Sequence, residues 1–263
     1  MDKACAGKVA IVTGASRGIG AAIARRLASE GARVAVSART LEPNDRVKGS
    51  LRETADEIAA GGGEALPVVC DLSKQDQRHA LVATVNEAWG PVDILVNNAA
   101  VTFLLPYEEF PEKRWRLMVE LQLWAPFELG QLVVPQMRAQ GGGHILNISS
   151  RAGIHPFGPP FDKIHDSGFT VYGMVKAGLN RLTTALAAEL YNDRIAVNAL
   201  APWDNVATPG AGGHGLVEGF PLEGTEWMAE AALVLCSAPP QQLTGRVVYS
   251  QQLLAEFECR PLA

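Results

Sequence analysis

The stretch that most constrains this chain is residues 9–20, VAIVTGASRGIG. Val9, Ala10, Ile11 and Val12 form an apolar run long enough for a buried strand. It enters a turn carrying Gly14, Gly18 and Gly20 before a helical pattern opens at Ile19. A residue without Cβ takes positive φ at little cost and lets backbone N–H groups approach a pyrophosphate seated on the positive end of the following helix. The turn is therefore expected to hold a dinucleotide, with Gly14, Ser16, Arg17, Gly18, Ile19 and Gly20 around it. Closing an ordinary strand-to-helix loop is the other use of such a turn.

The rest of the chain narrows the choice. With 263 residues, 48% of them hydrophobic, it can bury one sizeable core, and a single α/β domain over residues 1–263 is expected. The net charge is -5, and no block of lysine or arginine stands out. Nucleic acid and anionic membrane surfaces are thus not expected partners, which leaves small-molecule chemistry. Cys5, Cys70, Cys236 and Cys259 are far apart and form no CxxC pair, so neither a zinc site nor a disulfide framework is read, and a reducing setting is expected. MDKACAGK runs into the first strand without an apolar leader, and no stretch approaches the ~20 apolar residues of a membrane span. A soluble, cytoplasmic protein is expected.

Residues 21–30 are rich in alanine, arginine and leucine and stop at Gly31, as a helix with a glycine end does. Residues 33–37 (RVAVS) alternate as a second strand. In dinucleotide folds the position just past this strand meets the adenosine ribose, where an acid bonds the 2′-hydroxyl and arginine suits a 2′-phosphate. Here it reads Ala38, Arg39, Thr40, with no acid, and Arg17 offers a second planar fork from the glycine turn. NADP is expected, with NAD the alternative, unless both arginines are simply solvated.

A polar loop with Pro43 and Gly49 leads to a helix over 51–60, stopped by Gly61, Gly62 and Gly63. A third strand over 64–70 delivers Asp71 and Leu72 at its carboxyl end, where an open α/β sheet places ligand contacts. Asp71 equally reads as the N-cap of a helix starting near Ser73. A fourth strand over 92–96 runs into Asn97, Asn98, Ala99 and Ala100. Residues 112–137 are helical in character, with Pro126 and Pro135 expected to kink or interrupt them. HILNIS (144–149) is a fifth strand and delivers Ser149 and Ser150. The alternation of strands and helices gives a single-domain Rossmann-type doubly wound parallel sheet with helices on both faces.

Tyr172 and Lys176 form YxxxK in a stretch of strong helix formers, and four apart on a helix they share a face. An ammonium beside a phenol favours the phenolate and would lower the tyrosine pKa from ~10, which makes Tyr172 a candidate general acid/base. Such pairs are common in helices; the order of segments gives this one its weight. TGASRGIG, NNAA, ISS and YGMVK follow one another in a pattern that resembles the short-chain dehydrogenase/reductase family over nearly the whole chain.

The resemblance implies roles for these positions. Ser150, in preference to Ser149, would hydrogen-bond the substrate oxygen. Tyr172 would exchange its proton as hydride passes to or from the nicotinamide. Lys176 would lower the Tyr172 pKa and hold the nicotinamide ribose. Asp71 and Leu72 would frame the adenine, Asn98 would face the cofactor ribose, Asn97 would tie neighbouring strands, and Thr208 would meet the nicotinamide amide. Members are commonly dimers or tetramers, so a homo-dimer or homo-tetramer is implied. TLEPNDRVKG and ETADEIAAGGGEALPV are also similar to the hydroxysteroid-dehydrogenase-like branch, whose members are associated with lipid-like substrates.

The chain departs from the family pattern at several places. Gln122 stands where the family has an asparagine that extends the proton relay through water, and Ala100 replaces a glycine. Ser150 and Tyr172 are 22 positions apart, with HPFGPPFDKIHDSGF between them, and Trp203 follows Ala201 and Pro202 where APG is usual. Phe157, Phe161 and Phe169 read as a surface loop or as an aromatic wall beside the substrate. The wall is the expectation, and Trp203 belongs with it. His155, His165 and His214 match no metal spacing and read as exposed loop histidines, so no metal is expected. A glycine-rich substrate loop is expected at about 203–225. The expected activity is NADP-dependent interconversion of an alcohol and a ketone or aldehyde on a fairly apolar small molecule. The alternative is a catalytically impaired dinucleotide-binding protein with a regulatory or scaffolding role.

Overall fold

The computed structural model describes residues 3–43, 48–161, 168–206 and 221–261. The chain opens with β1 (Val9–Thr13), α1 (Gly18–Ser29), β2 (Arg33–Ala38), α2 (Leu51–Ala60), β3 (Glu64–Val69), α3 (Gln75–Trp89) and β4 (Ile94–Asn97). It continues with α4 (Glu112–Val119), a π-helical turn (Glu120–Trp124), α5 (Ala125–Ala139), β5 (Gly143–Ile148), α6 (Thr170–Glu189) and β6 (Ile195–Ala201). The last elements are two short strands, β7 (Asn205–Val206) and β8 (Leu222–Glu223), then α7 (Thr225–Ser237), β9 (Val247–Tyr249) and α8 (Ser250–Glu256).

Seven strands form one sheet in the order β3-β2-β1-β4-β5-β6-β9, and every pairing in it is parallel. Crossover helices cover both faces, which is why β1, β4 and β6 are buried along their whole length and read as near-continuous apolar runs. One core cluster joins α1, α2 and α7 to one face through Ile23, Leu27, Leu51 and Met228. The other joins α3 and α5 to the opposite face through Leu81, Val85, Leu129 and Val133. The strand order reverses between β1 and β4, and the crevice at their carboxyl ends is where such sheets bind ligands.

Local expectations fail where tertiary packing decides. The helix after β3 begins at Gln75 rather than near Ser73, and Asp71 closes a short turn instead of capping it: its Oδ1 accepts from the Ser73 N–H at 3.0 Å and the Ser73 hydroxyl at 2.8 Å. Pro126 sits in the first turn of α5, where its missing N–H costs nothing, and Pro135 is accommodated inside α5. The irregularity in this region lies instead at the π-helical turn, just before Pro126. The tail beyond β9 forms α8 with Leu253 and Leu254 buried.

Candidate active site

The glycine turn lies at the carboxyl end of β1. Gly14 has φ +65, and a Cβ there would fall 2.8 Å from Ala99 Cα. A Cβ on Gly20 would fall 2.4 Å from Asn98 Nδ2 and 2.5 Å from the Gly14 carbonyl oxygen. Both glycines thus answer to the chain's own packing as well as to any ligand. Helix α1 starts at Gly18, φ +57, one residue before the expected Ile19. Its N-cap, Arg17, makes no side-chain capping bond, and no acid occupies the first turn. By contrast, α2 is capped by the Ser50 hydroxyl, which accepts from the Glu53 N–H at 3.1 Å. An uncapped helix start without a local carboxylate suits a phosphate.

Arg17 and Arg39 converge beside this turn. Burial lowers the Arg17 pKa below the usual guanidinium range, and the neighbouring Arg39 charge pushes the same way. Arg17 Nε donates to Ser16 Oγ at 3.3 Å. Arg17 and Arg39 thus lie close enough for their charges to repel, Glu53 acts on Arg17 in the opposite direction, and neither arginine forms a carboxylate ion pair among the described residues. Asp71 is also near: burial works to raise its pKa, but hydrogen bonds from Ser73 and the Arg39 charge leave it below the usual carboxylate range. The residues present therefore fit a nicotinamide dinucleotide.

Two anchors hold this end of the site. The buried Arg78 guanidinium donates to the Leu72 carbonyl, to Glu128 and, at 2.7 Å, to Glu120 in the π-helical turn. The turn bearing Asp71 and Leu72 is thereby tied to α5. Asn98 Nδ2 donates to the carbonyls of Thr13 (2.9 Å) and Gly14 (3.1 Å), so its amide nitrogen is spent on the glycine turn. Asn97 does tie strands: its Nδ2 donates to Asn147 Oδ1 at 2.9 Å, and Asn147 Nδ2 donates to Thr183 Oγ1 on α6 at 2.9 Å. That chain fixes α6 against β5.

Three expected residues come together. Ser150 lies just past β5, and the Tyr172 hydroxyl shares hydrogen bonds with the side chains of Ser150 and Thr102. Ser149 points elsewhere, its hydroxyl donating to Asn180 Oδ1 at 2.6 Å, so Ser150 faces Tyr172. Lys176 Nζ lies 5.7 Å from the Tyr172 ring centroid and donates to the Ile148 carbonyl at 2.9 Å. Thr102 was not singled out from sequence, since a lone threonine in a loop carries no motif.

The electrostatics differ from expectation. Tyr172 was expected to have a lowered pKa; burial instead raises it, with the Ser150 and Thr102 hydrogen bonds acting in the opposite direction. Lys176 is only 3% exposed, and burial pushes it down to about 7. The lysine is thus driven toward its neutral form, in which it cannot stabilise a phenolate by charge. Gln122 is buried in the π-helical turn, and its Nε2 donates to the Val101 carbonyl at 2.8 Å, next to Thr102. Its Oε1 has no partner among the described residues, an acceptor open to a bridging water.

The expected aromatic wall is only partly assembled. Phe169 meets Tyr172 with ring centroids 6.3 Å apart, whereas Phe157 and Phe161 are 82% and 58% exposed. Trp203 packs edge-on to Tyr249 at 5.7 Å and carries the Arg151 guanidinium 4.8 Å above its ring. His155 is exposed. Thr208, His165, His214 and most of the expected substrate loop lie outside the described residues. No group of three or more metal-ligating side chains occurs among the described residues, and no helix there is long and apolar enough to cross a membrane.

Comparisons with known proteins bear on this arrangement. The family model for short chain dehydrogenase matches residues 8–211. Hydroxysteroid dehydrogenase-like protein 2 of Danio rerio is 34% identical over 250 residues, covering 95% of this chain and 58% of that protein, and the Xenopus tropicalis protein is 33% identical over 252 residues with the same coverage. The chain thus spans less than two thirds of the length of these curated relatives. A metagenomic short-chain oxidoreductase solved in complex with NADP is 36% identical with a TM-score of 0.75, covering 94% of this chain and 97% of that one. A short chain dehydrogenase homolog from Mycobacterium thermoresistibile is 35% identical with a TM-score of 0.83, covering 96% and 88%.

Proposed function

The chain belongs to the short-chain dehydrogenase family, and on that premise we propose that it is an NADP-dependent oxidoreductase interconverting an alcohol and a ketone or aldehyde. The observation that carries this reading is the meeting of Ser150, Tyr172 and Lys176, drawn from separate segments, at the carboxyl end of β5. The proposed cofactor is held by the uncapped start of α1, with Gly14, Ser16, Gly18, Ile19 and Gly20 shaping the turn and Arg17 and Arg39 taking the 2′-phosphate. Asp71 and Leu72 border the adenine end. When bound, the dinucleotide supplies the hydride.

The protein's own part is to hold the carbonyl and move a proton. The Ser150 hydroxyl donates to the substrate oxygen, and the Tyr172 hydroxyl, kept protonated by burial, delivers its proton to that same oxygen. Lys176, poised near neutral pH, exchanges protons close to the phenol, and Gln122 and Thr102 complete the polar lining behind it. Phe169 adds an apolar surface beside Tyr172, which suits a fairly apolar substrate. A helix face with Val119, Leu123, Phe127, Leu182 and a 46%-exposed Trp124 around a groove of about 340 Å³ supports a homo-dimer or homo-tetramer. We read residues 1–263 as one functional unit working in the cytoplasm.

The test is NADPH oxidation over a panel of ketones and aldehydes, with NADPH binding measured in parallel. Turnover of any member supports the enzyme. Tight NADPH binding with turnover of none would instead favour a dinucleotide-binding scaffold, the reading that the substitution of Gln122 for asparagine keeps in play.

A further inference from the structure

Four consecutive residues at the carboxyl end of β5 are met one by one by side chains of α6. Asn147 Nδ2 donates to Thr183 Oγ1 at 2.9 Å, and the Ile148 carbonyl accepts from Lys176 Nζ at 2.9 Å. The Ser149 hydroxyl donates to Asn180 Oδ1 at 2.6 Å, and the Ser150 side chain bonds the Tyr172 hydroxyl. Tyr172, Lys176 and Asn180 follow one another at i, i+4 spacing, so they lie along one stripe of the helix. The reaction proposed above uses Tyr172 and Lys176 directly. Asn180 makes the bond next to Ser150, and no step employs it.

Ser150 stands where the sheet stops holding the chain. The Ser149 N–H donates to the Leu200 carbonyl at 2.8 Å, and beyond it the chain leaves β5 for a single 3₁₀ turn over Arg151–Gly153. That turn lies backbone against backbone on α6. A Cβ on Gly173 would fall 2.8 Å from the Ala152 carbonyl oxygen, and one on Gly153 would fall 3.0 Å from the Lys176 carbonyl carbon and 2.9 Å from Asn180 Nδ2. The two glycines let the turn come this close but give it no directional bond. The bond from Ser149 to Asn180 is directional and supplies one. The Ser150 hydroxyl already accepts from the Ala152 N–H at 3.2 Å, so the seat of the turn on α6 decides where its O–H is aimed. A misplacement of about 1 Å in an aligned group costs as much as ~10²-fold in rate.

We propose that Asn180 is a positioning residue: by holding the Ser149 hydroxyl, it fixes Ser150 opposite Tyr172 on the same stripe of α6. This inference rests on the oxidoreductase reading above and deepens it.

The test measures kcat with NADPH on the best carbonyl substrate of the panel, together with NADPH affinity, in the wild type, Asn180→Ala, Ser149→Ala and the double variant. Both single changes are then repeated in a Ser150→Ala background. Each single variant should lose about ten- to a hundredfold in kcat while NADPH affinity stays within about threefold. The double variant should lose no more than the worse single one, because both changes break the same bond. In the Ser150→Ala background each change should cost less than about twofold, since the group being positioned is gone. A merely structural role would cost the same factor with or without Ser150, and that result overturns the inference. So does an unchanged kcat in either single variant, or a loss of NADPH affinity in step with kcat; in all of these cases the oxidoreductase reading stands. If Asn180→Ala does not fold, Ser149→Ala breaks the same bond from the strand side and decides the question by its cost with and without Ser150. Turnover of no carbonyl by the wild type removes the oxidoreductase reading, and this inference with it.

Discussion

Replacing Lys176 with methionine should change how stability depends on pH in a way worked directly from its burial. Lys176 is 3% exposed, its ammonium has only the Ile148 carbonyl as hydrogen-bond partner among the described residues, and burial holds it at about 7, against 10.5 for an ordinary lysine. Below pH 7 the side chain is charged in both folded and unfolded chains, and the folded state carries the full cost of burying it. Between 7 and 10.5 the unfolded chain binds more protons than the folded one, so stability rises with pH there, by up to ~1.4 kcal/mol per unit. From pH 7 to 9 this lysine alone contributes about 2 kcal/mol of added stability, or roughly 5 °C in melting temperature for a chain of this size. Above pH 9 the buried Cys5 and Cys70, both pushed up to about 11, oppose the trend, so pH 7 to 9 is the informative window. Methionine has a similar length and no charge, and Lys176→Met should lose that rise. Thermal melts of the cofactor-free wild type and variant at pH 7, 8 and 9 check it. Parallel curves for the two proteins across the window would refute the reasoning, because they would mean that Lys176 is not driven toward neutrality by the fold.

Arg39→Ala should reduce the preference for NADPH over NADH by about tenfold to a hundredfold, since a charge-assisted contact to the 2′-phosphate is lost; parallel binding titrations with the two cofactors would show it. Gly20→Ala should destabilise the protein by several kcal/mol and abolish dinucleotide binding. The new methyl would fall 2.4 Å from Asn98 Nδ2 and 2.5 Å from the Gly14 carbonyl, and denaturant melts with NADPH titration test both effects.

Much of the fold could be read from the chain because its signals are local. VAIVT is a buried strand by its uninterrupted apolar run, and α2 spans the expected 51–60 and stops at Gly61. Ser150, Tyr172 and Lys176 were legible because their spacing and order form a pattern. What stayed hidden depends on contacts between distant segments. Thr102 reaches Tyr172 across 70 positions, and Arg78 joins the turn after β3, the π-helical turn and α5 through a guanidinium that no motif marks. The lysine was expected to act on the phenol by charge, yet its own burial, invisible in a one-dimensional pattern, pushes it toward neutrality. Phe157 and Phe161 show the converse: aromatic composition alone could not tell that they would face solvent.

The most direct measurement is NADPH oxidation by the wild type and Tyr172→Phe on the best carbonyl substrate of the panel, with NADPH affinity determined for both. Removing one hydroxyl should lower kcat by about 10²- to 10⁴-fold while NADPH affinity stays within about threefold, because the phenol moves the proton. A Tyr172→Phe protein that turns over as fast as the wild type would contradict the central claim.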